Sequence, residues 1–585
     1  MKYLNKLIYF FDKYYLPIKQ YIDDQYRFRF YLCILLTILS VTVEVISILL
    51  IPKIVDNISS LNLSNSAHFI VFFIIFIFIN AFVKTAYIFI TNNFSYKLAT
   101  LYSRAIFETP LNSSLEIFND VSLDKFVVAI STKCDFIAAQ IAIPFFTLLS
   151  ALLSSLAIII SVIYLFPLRG IIFLLLISLL YLFISLFLTK KIAQNGKVIP
   201  KMQSNLYNIS LDSLSNTASI NLLNLKNEYI KHFIETDTKY RMAISNNDAL
   251  ATAPKFFIEA LGIILIIVIG FVPLLLNQTS IADSIALTSV LAFSCQKLLP
   301  ILQGAYASIY KMLGQKESFK QVVEIANFKK YIIEDKIKSN KNSTNLLNDE
   351  ISIEFILKQN LVFKEGEKVS FKDGFKLLSN KWYFLTGESG VGKSYLLRNL
   401  LKLQNINLSS VKVLNEQSLK ELNLNIKDYW SLFGYADQDI NLLNTPILYN
   451  VLGQYPGSLE KDKNYLDNLQ RVDSVLDVVS LKNELKDNSS RDSYEYLFKP
   501  SNTLSGGQKQ RILLAKALLK KPRFLIIDET LSGVSTIMRK KILSRIKRKF
   551  RKTSVIMILH GYKTESELFD FIIDVQSNKV EFKNI

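Results

Sequence analysis

The chain has 585 residues, half of them hydrophobic, a mean hydropathy of +0.28 and a formal charge of +19 from 68 Lys and Arg against 49 Asp and Glu. Long apolar runs place much of it in lipid, which excludes a wholly soluble protein. The basic residues are spread along the chain, many beside those runs where anionic headgroups attract them, and no aromatic-basic module accompanies them, so nucleic acid is not the expected partner. Cys33, Cys134 and Cys295 show neither CxxC nor metal-ligand spacing, which excludes a disulfide framework or zinc site.

Residues 1–29 mix both charge signs with Leu, Ile, Phe and Tyr and hold no uninterrupted apolar core, so they read as an amphipathic helix on a membrane surface rather than a signal peptide. Six apolar runs follow, at residues 30–51, 68–91, 138–166, 170–188, 256–276 and 281–302, each about long enough to cross a bilayer. Connectors after the first, third and fifth runs are short, and those after the second and fourth are long. Lys and Arg near span ends mark the cytoplasmic side. Lys13, Lys19, Arg27 and Arg29 precede the first run, and nine Lys or Arg lie from Lys190 to Lys255, whereas only Lys53 falls between runs one and two. Both termini and the long loops are therefore expected in the cytoplasm.

From about Gln315 the chain becomes charged, and residues 338–350 are polar and of low complexity, as in a linker. The expected organisation is a six-span α-helical membrane domain over 1–318, a linker over 319–350 and an α/β domain with a largely parallel sheet over 351–585. Strand-like runs at 382–385, 524–527 and 554–559 alternating with helical patterns at 394–403 and 505–519 carry the last assignment.

Gly387-Glu388-Ser389-Gly390-Val391-Gly392-Lys393-Ser394 follows a predicted strand and opens a predicted helix, the context a phosphate-binding loop requires. Its glycines let backbone N–H groups close around phosphates at a helix N-terminus. Lys393 would reach the β and γ phosphates of ATP, and the Ser394 hydroxyl would ligate Mg²⁺. Downstream, an apolar strand ends in Asp528 and Glu529; Asp528 suits the Mg²⁺ shell, and Glu529 is placed to polarise an attacking water.

Leu504-Ser505-Gly506-Gly507-Gln508, just before an amphipathic helix, resembles the signature motif of ATP-binding cassette proteins. The resemblance covers nearly the whole chain and has the exporter type of membrane half. It implies that Gln438 is the Q-loop glutamine, acting with the catalytic group and touching the metal shell, and that His560 is the switch histidine. Phe363 is a candidate to stack on adenine or a core phenylalanine. The family sandwiches two ATP molecules between two cassettes, each held by the P-loop of one and the signature motif of the other, so one cassette per chain implies a dimer, most simply a homodimer. Short coupling helices are implied near residues 114–125 and 210–229. One position departs: the usual D-loop aspartate is Ser535, which puts coupling between the two ATP sites in question.

Residues 253–262 and Lys297-Leu298-Leu299-Pro300 resemble the lipid-linked oligosaccharide flippases of this family, although Gly304 stands where an arginine is common there. Three functions are thus open: a flippase for a lipid-linked glycan, favoured here; an exporter of a peptide or hydrophobic drug; and a non-transporting cassette ATPase, which the six spans oppose. Lys84, Lys255 and Lys297 either line the pathway of an amphipathic, phosphate-bearing substrate or snorkel and pair with carboxylates.

Overall fold

The structure, a computed structural model, describes all residues except 1–23, 60–62, 276–280, 329, 334–349, 358–360, 363–367, 370–374, 389, 405–408, 417–420, 423, 438–441, 457–464, 487–493, 559–565, 577–578 and 585. Most of the expected N-terminal amphipathic segment and of the linker, and Phe363, Ser389, Gln438 and His560, lie outside the described residues. The chain divides into two compact units, Met1–Ser113 with Ile117–Tyr331, and Ser114–Glu116 with Ile332–Ile585.

In the first unit each apolar run becomes a long helix. These are α1 (Asp24–Ser59), α2 (Leu63–Leu111), α3 (Ile143–Leu165, entered through a π-helical stretch, Ile137–Ala142), α4 (Pro167–Ser215), α5 (Pro254–Leu275) and α6 (Ile281–Gly314). Stretches apolar and long enough to cross a membrane are Arg27–Val55, Ala67–Leu111, Leu123–Leu165 and Ser284–Gly314; α4 and α5 contribute shorter described stretches, Pro167–Leu176 and Glu259–Gly270. Phe78, Phe82 and Phe89 on α2 are more than two-thirds exposed. In water each would forgo about 25 cal/mol of stabilisation per Å² of apolar surface left uncovered, whereas in lipid such a face needs no cover.

Several helices overrun the apolar segments that announce them. The second run ends at residue 91 but α2 continues to Leu111, and the fourth ends at 188 but α4 continues to Ser215. Hydropathy marks where lipid ends, and a helix whose backbone is bonded internally has no reason to stop there. The two long connections carry short helices at Ile117–Asp120 and Thr217–Leu222, within the segments the family resemblance singles out.

The second unit is built on a six-stranded sheet. In chain order its strands are β1 (Ile351–Leu357), β2 (Leu361–Val362), β3 (Lys368–Val369), β4 (Phe375–Leu377), β5 (Trp382–Gly387), β6 (Ser409–Asn415), β7 (Phe433–Ala436), β8 (Phe524–Asp528), β9 (Ser554–Ile558), β10 (Phe571–Gln576) and β11 (Lys579–Asn584). The main sheet has the order β11-β10-β5-β9-β8-β7, parallel except for the β10–β11 hairpin, while β4-β1-β6 form an antiparallel sheet and β2 pairs with β3. Its helices include α7 (Lys393–Leu400), α8 (Tyr465–Val478), α9 (Gly506–Leu519) and α10 (Thr536–Lys549).

Successive strand residues point to opposite faces, and both faces are covered. Trp382, Phe384, Leu525, Ile527, Val555 and Met557 pack with α8, α9 and α10 on one side. Tyr383, Leu385, Phe524, Ile526, Ile556 and Ile558 pack with α7 and the antiparallel sheet on the other. Unbroken apolar strands are what a parallel sheet covered on both faces demands. Within this unit the Leu115 N–H donates to the Leu403 carbonyl at 2.8 Å, so Ser114–Glu116 joins the end of the α7 segment.

Packing is close where β7 passes α9. A Cβ added at Gly434 would lie 2.6 Å from the Ala517 carbonyl oxygen and 2.8 Å from Pro522 Cγ. Gly434→Ala is therefore expected to destabilise the second unit by roughly 1–3 kcal/mol, as overpacking does. A thermal or urea melt of the purified protein measures it, and an unchanged midpoint would refute the close approach.

Candidate functional site

Three described segments leave the same edge of the main sheet, the C-terminal ends of its parallel strands, where open α/β sheets bind ligands. The glycine-rich loop follows β5, Asp437 follows β7, and Asp528 with Glu529 ends β8. Gln438 and His560 come next after β7 and near the end of β9 in the chain, outside the described residues.

The loop needs its glycines. Gly387, Gly390 and Gly392 have φ of 149°, 83° and 93°, a region L side chains rarely enter. A Cβ at Gly387 would also sit 2.2 Å from the Val575 carbonyl oxygen, whereas one at Gly390 would meet nothing within 4 Å, so the loop is pinned at its root and open at its crown. Glu388 and Gly390 are exposed, and Val391 packs against the core beneath. Gly392 is the N-cap of α7. The Lys393 ammonium donates to the carbonyls of Gly387 and Glu388 at 2.9 and 2.8 Å, arching over the loop. Burial pulls its pKa below the ordinary lysine value, with Glu529 and Asp528 pulling the other way.

The Ser394 hydroxyl donates to Asp528 Oδ1 at 3.1 Å, and the Tyr435 hydroxyl donates to Oδ2 at 3.3 Å. Burial raises the Asp528 pKa; the Ser394 bond lowers it, neighbouring Asp437 raises it, the Tyr435 bond lowers it and Glu529 raises it. Glu529 has φ of 53°, a left-handed backbone in a non-glycine residue, held by its N–H donating to the Ile558 carbonyl at 3.2 Å. Such strain, about 1–3 kcal/mol, is typical of functional positions that the surroundings over-determine. Thr530, fully buried, donates to the Ala436 carbonyl at 2.5 Å and anchors the turn behind it.

The donor set fits a magnesium nucleotide. A glycine-rich loop lies at a helix N-terminus, a hydroxyl and a carboxylate oxygen stand 3.1 Å apart for a hard cation, and a lysine ammonium lies over the same loop. Leu504 is buried below the signature segment, while Ser505 and Gly506 are exposed. Ser505 caps α9 with a reciprocal pair: its hydroxyl accepts from the Gln508 N–H at 3.3 Å, and its own N–H donates to Gln508 Oε1 at 3.0 Å. A Cβ at Gly507 would be 3.1 Å from the Gly533 carbonyl oxygen.

Sequence reasoning missed three contacts. Gln510, one turn into α9, accepts from the Gly533 N–H at 3.0 Å and donates to the Ser532 hydroxyl at 3.4 Å, tying the signature helix to the segment after Glu529. Its position two residues past Gln508, on the same helix, was the available signal. Tyr435 and the Arg398–Asp437 ion pair, 3.6 Å apart, had none, because they meet only across strands. Ser535 is the exposed N-cap of α10 and makes no side-chain cap bond.

In the first unit the three lysines part company. Lys84 forms an ion pair with Glu44, whose side chain is 2% exposed. Lys297 lies 5.5 Å from the Phe293 ring centroid, a cation–π contact. The Lys255 side chain is outside the described residues. Lys84 also lines a cavity of about 310 Å³ with Thr37, Ser40, Tyr87, Thr147, Ser150 and Ser154. Gly304 borders it, and a Cβ there would rest 3.6 Å from Thr147 Cγ2.

A bundle of apolar helices joined to a P-loop unit with an exposed signature segment defines a multi-pass membrane protein with a nucleotide-binding cassette. Family comparison agrees: an ABC transporter transmembrane region matches residues 30–297 and an ABC transporter domain matches 372–532, so the chain belongs to the ABC transporters. The fold is that of an ABC exporter. A bacterial Atm1-family ABC exporter with ATP bound superposes with a TM-score of 0.74 over 96% of both chains at 16% identity. The chain is 31% identical over 198 residues to the methionine import ATP-binding protein MetN of Clostridium tetani, covering 34% of this chain and 58% of that one. It is 29% identical over 252 residues to the Rickettsia typhi protein RT0691, named as an export ATP-binding/permease protein, covering 42% and 41%. The chain thus spans about half the length of the curated relatives it matches.

The Asp528 shift has a consequence for stability. Its pKa is raised in the fold above its ordinary value of 3.8, so protonation stabilises the folded state; that stabilisation is complete below pH 3.8 and lost as pH rises through the raised value. At neutral pH the ionised, buried carboxylate costs stability. Asp528→Asn should therefore melt higher than wild type at pH 7 without nucleotide, with the gap closing in acid, while its Mg²⁺-dependent nucleotide affinity falls. A melt lower than wild type at pH 7 would refute the reading.

Proposed function

We propose that the protein is an ATP-driven exporter of the cytoplasmic (inner) membrane, working as a pair of copies with both termini and the cassettes in the cytoplasm, and moving an amphipathic cargo. The observation that carries the ATPase half is the meeting of loop, hydroxyl and two carboxylates at one sheet edge. Bound Mg²⁺–ATP supplies the phosphoanhydride bond that is cleaved. The loop N–H groups from Gly387 to Ser394 bind its phosphates, and Lys393 neutralises their charge. Ser394 and Asp528 hold the cation, with Gln438 joining them as the family resemblance implies. Glu529 orients a water and receives its proton, and His560 and Phe363 act as switch and adenine platform on the same resemblance. Ser505, Gly506, Gly507 and Gln508 lie at an exposed helix N-terminus on the same chain, which suits presentation to a second copy's nucleotide.

Glu529→Gln keeps the shape but removes the proton acceptor. ATP binding should persist while turnover falls by about 10²–10⁴-fold, the usual worth of a general base; normal steady-state hydrolysis would overturn the assignment.

For the cargo, a cavity that mixes hydroxyl side chains with Ile88, Ala151, Pro300 and Ile301 suits an amphipathic molecule, and the resemblance at residues 253–262 and 297–300 leans the reading to a lipid-linked glycan, with a peptide or hydrophobic drug as the alternative. Glu44 neutralises Lys84, so a cargo phosphate has to compete with a buried carboxylate for that ammonium. Lys84→Ala leaves Glu44 buried and unpaired, whereas Lys84→Ala with Glu44→Gln removes both charges. If the pair is structural, the double variant regains the stability and transport that the single one loses; if Lys84 binds cargo phosphate, stability returns but cargo-stimulated hydrolysis does not. Stimulation by peptides and not by lipid-linked glycans in reconstituted protein would overturn the glycan reading.

A further inference from the structure

A cavity of the second unit, about 1120 Å³, lies away from the nucleotide site. Ser431, Arg523 and Thr553, which precede β7, β8 and β9, line it, so it opens at the N-terminal edge of the sheet, while Asp528 and the P-loop lie at the C-terminal edge. One strand length, about 17 Å at 3.3 Å per residue, separates the two edges.

Eight of its eighteen lining residues are Lys or Arg and one is acidic, so the described walls carry a formal charge of +7. The acid, Asp467, is 3.9 Å from Arg471, and Lys549 donates to the Ser474 hydroxyl at 2.9 Å. Lys520, Lys521, Arg548, Arg551 and Lys552 are exposed around the rim. The ordinary explanation of such cations is complementing helix C-termini, and α9 and α10 do end here. Two helix ends offer only about one elementary charge between them, less than the formal +7 of the described walls. Phe550 is the one aromatic among the described lining residues, and it packs on the core rather than offering a platform for bases, which disfavours single-stranded nucleic acid. A concave wall of cations without stacking surfaces suits clustered phosphates, each able to accept charge-assisted bonds from several side chains.

We propose that this groove is a second anion site of the cassette, distinct from the nucleotide site, that binds a compact ligand carrying two or more linked phosphates. The probe is inorganic tripolyphosphate, titrated by calorimetry into the full-length purified protein at physiological salt. The protein carries Lys393→Ala to weaken polyphosphate binding at the P-loop, and the groove variants assign what remains. One saturable site per chain is expected. Lys520→Glu with Lys552→Glu should weaken it about tenfold or more, as loss of charge-assisted bonds does. Lys520→Arg with Lys552→Arg should retain it, and so should Lys540→Glu with Lys541→Glu, an equal charge change at exposed α10 positions outside the groove. Competition by cardiolipin in mixed micelles, but not by a zwitterionic lipid, would assign the phosphates to a lipid head group; no competition assigns them to a soluble polyphosphate. Absence of saturable binding, equal loss in both charge-swapped proteins, or tighter groove-dependent binding of polyuridylate would overturn the proposal.

Discussion

The hydrogen bond from Ser394 to Asp528 is the point on which the cassette turns. It joins the first turn of α7 to the end of β8, two segments 134 residues apart, and it exists only because β5, β9 and β8 are adjacent and in register. Their register is set by burial on both faces: every second residue of each strand goes to one core and the alternates to the other, so a slip of one position would exchange the two sets. The carboxylate is thereby held in a poorly solvated place that raises its pKa. A group positioned for a cation is costly until the cation arrives, and the fold carries that cost through its apolar strands.

The same economy of placement governs the signature segment. Ser505 and Gln508 satisfy each other's backbone donors at the start of α9, leaving Gly506 exposed and Gly507 partly buried between them. Arg511, buried one turn further on, is clamped by Glu484 through two bonds of 2.7 Å and by the Ser480 carbonyl. Gln510 meanwhile reaches the segment after Glu529. A shift of α9 would therefore be felt at the strained turn carrying Glu529, a mechanical link from the start of α9 to that carboxylate within one chain. Ser535, where the family usually has aspartate, stands free of that link as a plain helix cap.

In the membrane unit the governing term is different. Apolar side chains gain little by leaving lipid for another helix, so polar contacts and close packing set which faces meet. Ser40 donates to Asn80 at 2.9 Å, and Glu44 lies with Lys84 one turn along the same α1–α2 interface. Relatives named for methionine import and for export share sequence with this chain, so likeness to them does not choose a cargo.

The sequence by itself determined the six apolar helices, the α/β cassette and the identity of the phosphate-binding loop, because run length, strand–helix alternation and glycine spacing are local properties that physical chemistry reads directly. It also marked Asp528 and Glu529 through their place at the end of an apolar strand. Only the tertiary structure decided that Lys84 faces Glu44 while Lys297 sits on Phe293, that Tyr435 and Gln510 lie beside the predicted site residues, that helices run far past their apolar segments, and that cations on α8 and ahead of β8 and β9 line one groove. Each of those depends on which residues distant in the chain become neighbours, and no local pattern carries that information.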